Sequence, residues 1–368
     1  MTLAEVLTRA TLGSVESVES VRGEAKASSC VMTKRWSDMK RKFSILISVA
    51  ALSVAGILPA VASGASGGAI PSKVSIAFLG GAPTDSFWTS VRSGVDAAAA
   101  SIKSLGGSVQ WYGFQNYNNF CPDAGTLTKT IAASNPTVAV IPNWCPTTQT
   151  QYIKAMEKAG TIVVEDNNGA TWKADGAVTY VGESNYAVGL KAGSTFIADG
   201  YKHEVCVNTL PGTITAEQVC AGEKKTTLAG GGTFKELDLP SSAHDNPSAV
   251  EAAVKGFLLS NPSVNAVMTI GPGDADAAAA GIASAGKTSS VGLGSWDLST
   301  NILNRIISGK QLFTIDQEPY LQGYYGVMVG FQYAKYGIIP SAPIPTGPNV
   351  VNKSNAAQAK AGAAIAVR

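Results

Sequence analysis

From residue 73 onward, short runs of β-branched and aromatic residues alternate with longer stretches whose apolar positions recur every three or four residues. The first pair sets the pattern. Residues 73–80 (KVSIAFLG) form a brief apolar run ending in glycine, and 87–103 carry apolar residues at helical spacing. The same reading predicts strands at 108–114, 138–142, 161–165 and 178–181, and helices at 123–133, 149–159 and 186–198. The alternation then restarts, with strands at 204–209, 233–239, 266–270, 291–295 and 311–315. Helices fill the intervals, notably 249–259 and 298–308, and a last long one covers 320–336.

Repeated strand–helix units imply parallel sheets joined by right-handed crossovers. About ten strands is crowded for one open sheet, and the pattern divides near residue 183. The expected fold is therefore α/β, with two doubly wound parallel-sheet lobes joined by hinge strands. The first lobe takes 73–183 plus 318–337, and the second takes 184–317 plus 338–368. In such sheets ligand groups gather on the loops at the carboxyl ends of the strands.

Those loops carry chemistry. Asp85-Ser86-Phe87-Trp88 follows the first strand, placing an acid before two aromatics that open a helix. An aromatic face packs on apolar C–H groups while a carboxylate accepts hydroxyl protons. Asp166-Asn167 follows the fourth strand, Trp296-Asp297 follows 291–295, and Asp316-Gln317 follows 311–315. Asp274 lies in GPGDAD after 266–270, Trp144 follows 138–142, and Glu217 lies beyond 204–209. Any one of these polar residues could cap a helix. Several on one sheet edge point instead to a polar site, with Asp85, Phe87, Trp88, Asp166, Asn167, Asp274, Asp297 and Gln317 as its leading candidates. Trp144, Glu217, Trp296 and Asp316 form a second tier. Acids and amides outnumber bases on these loops, which favours hydroxyl or ammonium donors over phosphates.

Composition narrows the class. Charged residues make up 15% and apolar ones 45%, with a formal net charge of +2. No long basic run appears, so nucleic acid is not an expected partner. Met39-Lys-Arg-Lys precedes the apolar stretch 43–58 and the small-residue sequence Pro59-Ala60-Val61-Ala62. That order reads as a signal peptide over 39–62, behind a leader of doubtful significance at 1–38. The address it implies is secreted, in the periplasm or on the outer face of the cell envelope. Cys121, Cys145, Cys206 and Cys220 lie beyond the signal segment, an even number consistent with disulfides in an exported chain. The pairs Cys121–Cys145 and Cys206–Cys220 each join consecutive elements. Neither a CxxC nor a His-rich cluster supports a metal site, and no cofactor is expected.

Taken together, DSFW at 85–88, Asp166, Trp296-Asp297 and the segment TIDQEPYLQG at 314–323 resemble the type I periplasmic binding proteins of the ribose and simple-sugar group. In that family the aromatics sandwich a sugar between the lobes, and membrane subunits of an ABC importer receive it. The resemblance extends over 73–368. Two departures bear on ligand identity. Ribose binders carry an Arg in the first long helix of the second lobe, whereas Thr215–Cys220 contains none, and GDAD at 273–276 replaces an Asn-Asp pair.

Enzyme signatures are missing. His203 and His244 have no GxSxG partner, and GPGDAD and AGGGTF (229–234) match neither a P-loop nor a dinucleotide fingerprint. The expectation is a monomeric binding protein that captures a monosaccharide or polyol for an ABC importer. The alternatives are presentation of the ligand to a membrane sensor, or a non-sugar ligand such as a nucleoside or cationic amine.

Overall fold

The computed structural model describes residues 70–244 and 246–368; the expected leader and signal peptide lie outside the described residues. Strands β1 (Val74–Gly80), β2 (Gly107–Gly113), β3 (Val138–Val140), β4 (Ile162–Asp166) and β5 (Thr179–Gly182) pair in parallel with β11 (Ile344–Pro345). Their order is β11-β5-β4-β3-β1-β2. A second sheet, β12-β10-β9-β8-β6-β7, has the same layout. It comprises β6 (His203–Asn208), β7 (Thr233–Asp238), β8 (Ala266–Thr269), β9 (Gly292–Trp296), β10 (Phe313–Asp316) and the antiparallel edge β12 (Asn349–Asn352). The molecule is thus an α/β protein of two doubly wound lobes.

Helices α1 (Ser86–Lys103), α2 (Phe120–Ala133), α3 (Pro146–Lys158) and α9 (Pro319–Tyr336) belong to the first lobe. The second has α4 (Asn185–Ala198), α5 (Ile214–Ala229), α6 (Pro247–Ser260), α7 (Pro272–Ser284), α8 (Thr300–Ile307) and α10 (Ala356–Ala363). Local sequence explains their ends. Asp85 caps α1 by accepting from Phe87 N, Asn246 caps α6 ahead of Pro247, and Ser299 caps α8. On α1, Val91, Val95, Ala98 and Ile102 recur at three- and four-residue spacing and are buried. On β6, Val205 and Val207 enter the core against α6 and α7, while Cys206 between them faces the opposite core with Phe196 and Phe313. Two helix pairs approach backbone to backbone at glycine: a Cβ on Gly94 or Gly323 would strike the facing helix of the α1–α9 pair, and one on Gly189 or Gly222 that of the α4–α5 pair.

The chain crosses between lobes at 183–184, 317–318 and 346–348. The last crossing corrects the expected division, which assigned all of 338–368 to the second lobe. Ile344 pairs with Val181 and so extends the first sheet, and only from β12 onward does the tail join the second. Sequence reading missed β11, β12 and α10 because two of them are very short and α10 is an Ala-rich segment of low amphipathicity.

Disulfides link Cys121 to Cys145 and Cys206 to Cys220, with Cα separations of 5.5 and 5.7 Å. The second ties β6 to α5, and beside it lies a buried carboxyl pair. Thr227 Oγ1 donates to Glu204 Oε2 at 2.6 Å, and Glu223 is fully buried next to Glu204. Burial raises the Glu204 carboxyl to about 7, the Thr227 and Glu223 hydrogen bonds opposing it. Burial and then the charge of Glu204 raise Glu223 as well.

An acid whose folded pKa is raised stabilises the fold fully below its unfolded pKa, and that contribution is lost as pH rises through the folded value. We expect the thermal midpoint to fall between about pH 4.5 and 7. In Glu204→Gln the fall should be shallower and the midpoint at pH 8 higher. Parallel melting profiles for the two proteins across that range would refute the pair's role.

Candidate ligand-binding cleft

A cavity lies between the carboxyl edges of the two sheets. Its first-lobe wall includes Trp88, Trp144 and Phe120, and its second-lobe wall includes Trp296, Ile270 and Leu210. The aromatics brace one another edge to face: Trp88 lies 5.4 Å from Trp144 and 4.9 Å from Phe87, and Phe120 lies 5.4 Å from Trp144. Trp88 and Phe87 are nevertheless almost fully buried, so they serve both core and cleft.

Polar groups converge on this cavity along one hydrogen-bonded chain. Trp144 Nε1 donates to Asn167 Oδ1 at 2.9 Å, and Asn167 Nδ2 donates to Gln317 Oε1 at 3.1 Å. Gln317 Nε2 then donates to Asp297 Oδ1 at 2.6 Å. All four residues line the cavity, and the chain runs from the first lobe through the second crossing into the second lobe. Asp297 is held well above the ordinary carboxylate range, first by burial and then by the charges of Asp85, Glu183 and Asp316, with the Gln317 hydrogen bond opposing.

Asn167 and Asp297 occupy equivalent places. Each directly follows the third strand from its sheet's hinge-side edge, β4 or β9, and each has a left-handed backbone, φ 56° and 69°. The amide of each donates to the neighbouring strand, Asn167 N to Val181 O and Asp297 N to Ile315 O. Asn and Asp are the side chains that best tolerate this conformation.

That equivalence revises the expected acid. Asp166 does not line the cavity. It is the last residue of β4, one position before the turn, and strand alternation sends its side chain away from the side chain of Asn167. Its carboxyl is completely buried, and burial raises it far above its usual range. Three further candidates also stand outside the lining. Asp274 lies one layer behind it, accepting from Thr209 Oγ1 at 2.6 Å and facing His244 Nδ1 at 3.0 Å. Glu217 stabilises the turn after β6 by accepting from Gly212 N at 2.9 Å. Asp316 is buried in the second crossing, paired with Arg368 at 2.5 Å. Asp85, Phe87, Trp88, Trp144, Asn167, Trp296, Asp297 and Gln317 all line the cavity. Asp85 both caps α1 and accepts from Tyr117 OH at 3.1 Å.

Sequence reading missed Tyr117, Phe120, Thr215 and His244. Tyr117 and Phe120 follow β2 and His244 follows β7, so attention to every post-strand loop would have found them. Thr215 is in the first turn of α5, and its buried Oγ1 has no partner among the described residues. No Lys or Arg lines the cavity. Among the described residues, no group of three or more His, Cys, Asp or Glu is placed to hold a metal.

The lobes touch around the cavity. Ile214 N donates to Trp144 O at 3.1 Å, Ser86 Oγ to Leu298 O at 3.3 Å, and Ser241 Oγ to Asn118 O at 3.3 Å. Residues 76–337 match the family model of the periplasmic binding protein domain. The chain belongs to that family.

A solved structure of a carbohydrate transporter from Acidothermus cellulolyticus 11B, in complex with myo-inositol, is similar to this binding protein at 26% identity and a TM-score of 0.73. The match covers 80% of this chain and all of the other. An ABC transporter solute-binding protein from Agrobacterium vitis, bound with α-D-tagatopyranose, is 24% identical with a TM-score of 0.66, covering 77% of this chain and 96% of that one. Among curated proteins, the xylose/arabinose-binding protein XylF of Sulfolobus acidocaldarius is 25% identical over 185 residues, which is 48% of this chain. The match spans only 44% of that relative. The family is one of substrate-binding proteins, and its sugar-binding members match the fold of both lobes. Among the described residues, no helix is long and apolar enough to cross a membrane.

The hydrogen-bonded chain yields a direct test on the binding protein. Gln317→Ala removes the donor to the buried Asp297 carboxyl, at roughly 1–3 kcal/mol, and leaves the Asn167 amide only its longer bond to Gln322 at 3.4 Å. Urea unfolding without ligand should show a loss in that range. An unchanged midpoint would mean that Gln317 does not connect the lobes.

Proposed function

We propose that this protein captures a monosaccharide or polyol outside the cytoplasmic membrane and delivers it to the membrane subunits of an ABC importer. It does so as a monomer and performs no chemistry on the ligand. The observation that carries this reading is the combination of tryptophan walls with a polar chain ending on Asp297, in a cavity without a cationic side chain. Sugar C–H faces suit the indole rings, and sugar hydroxyls suit carboxyl, amide and threonine partners. The myo-inositol and tagatose held by similar proteins are of the same chemical class. The signal segment at 39–62 supplies the route of export.

The mechanism follows from the crossings. Three chain passages allow the lobes to separate, and a ligand that touches Asn167 on one lobe and Asp297 on the other favours the closed arrangement by its differential affinity for it. The importer then receives the closed form.

A thermal-shift panel of pentoses, hexoses, polyols, nucleosides and cationic amines tests the ligand class, since a tight ligand raises the melting temperature by mass action. Stabilisation by a pentose, hexose or polyol is expected, and a shift confined to amines or nucleosides would overturn the sugar reading. With the cognate sugar in hand, Asp297→Ala should weaken binding by about tenfold to a hundredfold, because a buried ligand hydroxyl left without its partner costs roughly 1–3 kcal/mol. Titration calorimetry reads this directly, and wild-type affinity in the variant would remove Asp297 from the site. Saturating sugar should also shift tryptophan emission, because Trp88, Trp144 and Trp296 line the cavity. An emission spectrum unchanged at saturation would place the ligand elsewhere.

A further inference from the structure

A second cavity adjoins the first on the side of the exposed residues Thr84 and Gly273, sharing Asp85, Tyr117, His244 and Pro272 as a common wall. Both lobes line it, Thr84 and Ser86 from the first and Gly273, Asp276 and Ser299 from the second. We propose that this outer cavity is a second subsite, so that the captured sugar binds more tightly when it carries a further hydrophilic unit, as in a disaccharide or a glycoside with a polar aglycone. The proposal rests on the sugar reading of the inner cavity.

The two cavities differ in chemistry. The inner one is walled by indole and phenyl rings, whereas beyond the shared residues the outer one presents hydroxyls and a carboxylate. Such walls suit a unit bound through its hydroxyls rather than an alkyl or aryl group. The absence of Lys and Arg from the lining excludes a well-matched phosphate.

Asp276 is fixed in place before any ligand arrives. Arg305 Nη1 donates to its Oδ1 at 2.6 Å, and Asn301 Nδ2 donates to its Oδ2 at 2.7 Å. Each carboxylate oxygen can accept a further hydrogen bond, so a ligand hydroxyl meets an acceptor whose ordering cost is already met within the fold. Gly273 adds space: a Cβ built there meets nothing within 4 Å. The main chain at this point therefore borders open volume that a side chain could occupy without disturbing α7.

That space supplies the test. Titration calorimetry on the exported form first ranks monosaccharides and polyols, and then disaccharides and polar glycosides built on the best of them. At least one such conjugate should bind about tenfold or more tightly than its parent sugar. Gly273→Leu fills the outer cavity, and Asp276→Ala removes its fixed acceptor. Each should abolish the gain for the conjugate and leave the affinity for the parent sugar within about twofold.

If the parent sugar binds and every conjugate binds more weakly, the outer cavity is only an entrance and the proposal fails while the sugar reading stands. If a conjugate gains affinity that neither variant reduces, the second unit lies elsewhere and the proposal also fails. If no sugar of either kind binds, the sugar reading falls and takes this proposal with it. Should Gly273→Leu not fold, Asp276→Ala decides alone.

Discussion

The closed arrangement of this protein depends on a directional sequence of hydrogen bonds from Trp144 through Asn167 and Gln317 to Asp297. An indole N–H can only donate, so Asn167 turns its oxygen to Trp144 and its amide to Gln317, and Gln317 in turn presents its own amide to Asp297. Gln317 sits where the chain passes from β10 into α9, so a bond to each of its ends holds the second crossing between the lobes. Gln322, one turn into α9, donates to Gln317 Oε1 at 3.0 Å and fixes the same side chain from the helix side. A polar network buried this deeply is favourable only when every member is satisfied, and each link here is satisfied by a residue from a different element.

Burial raises several carboxyls in and near the hinge above their ordinary range. Glu183, in the first crossing, accepts from Trp296 Nε1 at 2.7 Å and thereby orients a wall of the cavity from the opposite lobe. Burial raises it well above the normal range, with the Trp296 hydrogen bond opposing and the charges of Asp316 and Glu318 adding to the shift. Glu165, further inside the first lobe, is raised to about 10 by burial and by its neighbour Asp175. Neutral carboxyls offer one donor each as well as acceptors, so they can pack against backbone carbonyls where ionised ones could not. Asp316, also at the hinge, is paired with Arg368.

Much of the architecture was legible in the sequence because parallel strands buried on both faces leave continuous apolar runs, and the helices between them keep a helical period. The restart of the alternation after residue 183 carried the two-lobe reading. The tail was not legible: β11 has only two residues, and its place is set by pairing with Val181 rather than by its own pattern. At the site, the rule that function gathers after strands found Asn167, Asp297 and Gln317, but at β4 it also took in the neighbouring Asp166, which does not line the cavity. In a strand a single step exchanges the two faces. The distinction lay in the backbone, since Asn167 has the left-handed turn that Asp297 repeats in the other lobe, and no local sequence signal separates an Asp-Asn pair from an Asn-Asp pair. His244 was weighed as a catalytic residue and set aside, although its position after β7 made it a wall of the cleft.

The two lobes meet with little contact outside the cleft, and this bears on how binding is driven. The direct polar links across the mouth, such as Ile214 N to Trp144 O and Ser86 Oγ to Leu298 O, are single bonds between groups that water could otherwise satisfy. Each contributes about 1 kcal/mol net at most. The free energy that holds the lobes together therefore comes from the buried chain through Gln317 together with what the cavity encloses. A ligand touching only one lobe would have equal affinity for the open and closed forms and would shift nothing. The arrangement on the page meets the opposite condition, because Asn167 and Asp297 present equivalent turns from the two lobes and converge on Gln317 between them. A polyhydroxyl ligand spanning that line adds hydrogen bonds on both sides that exist only when the lobes are closed, and closure thereby becomes a readout of occupancy.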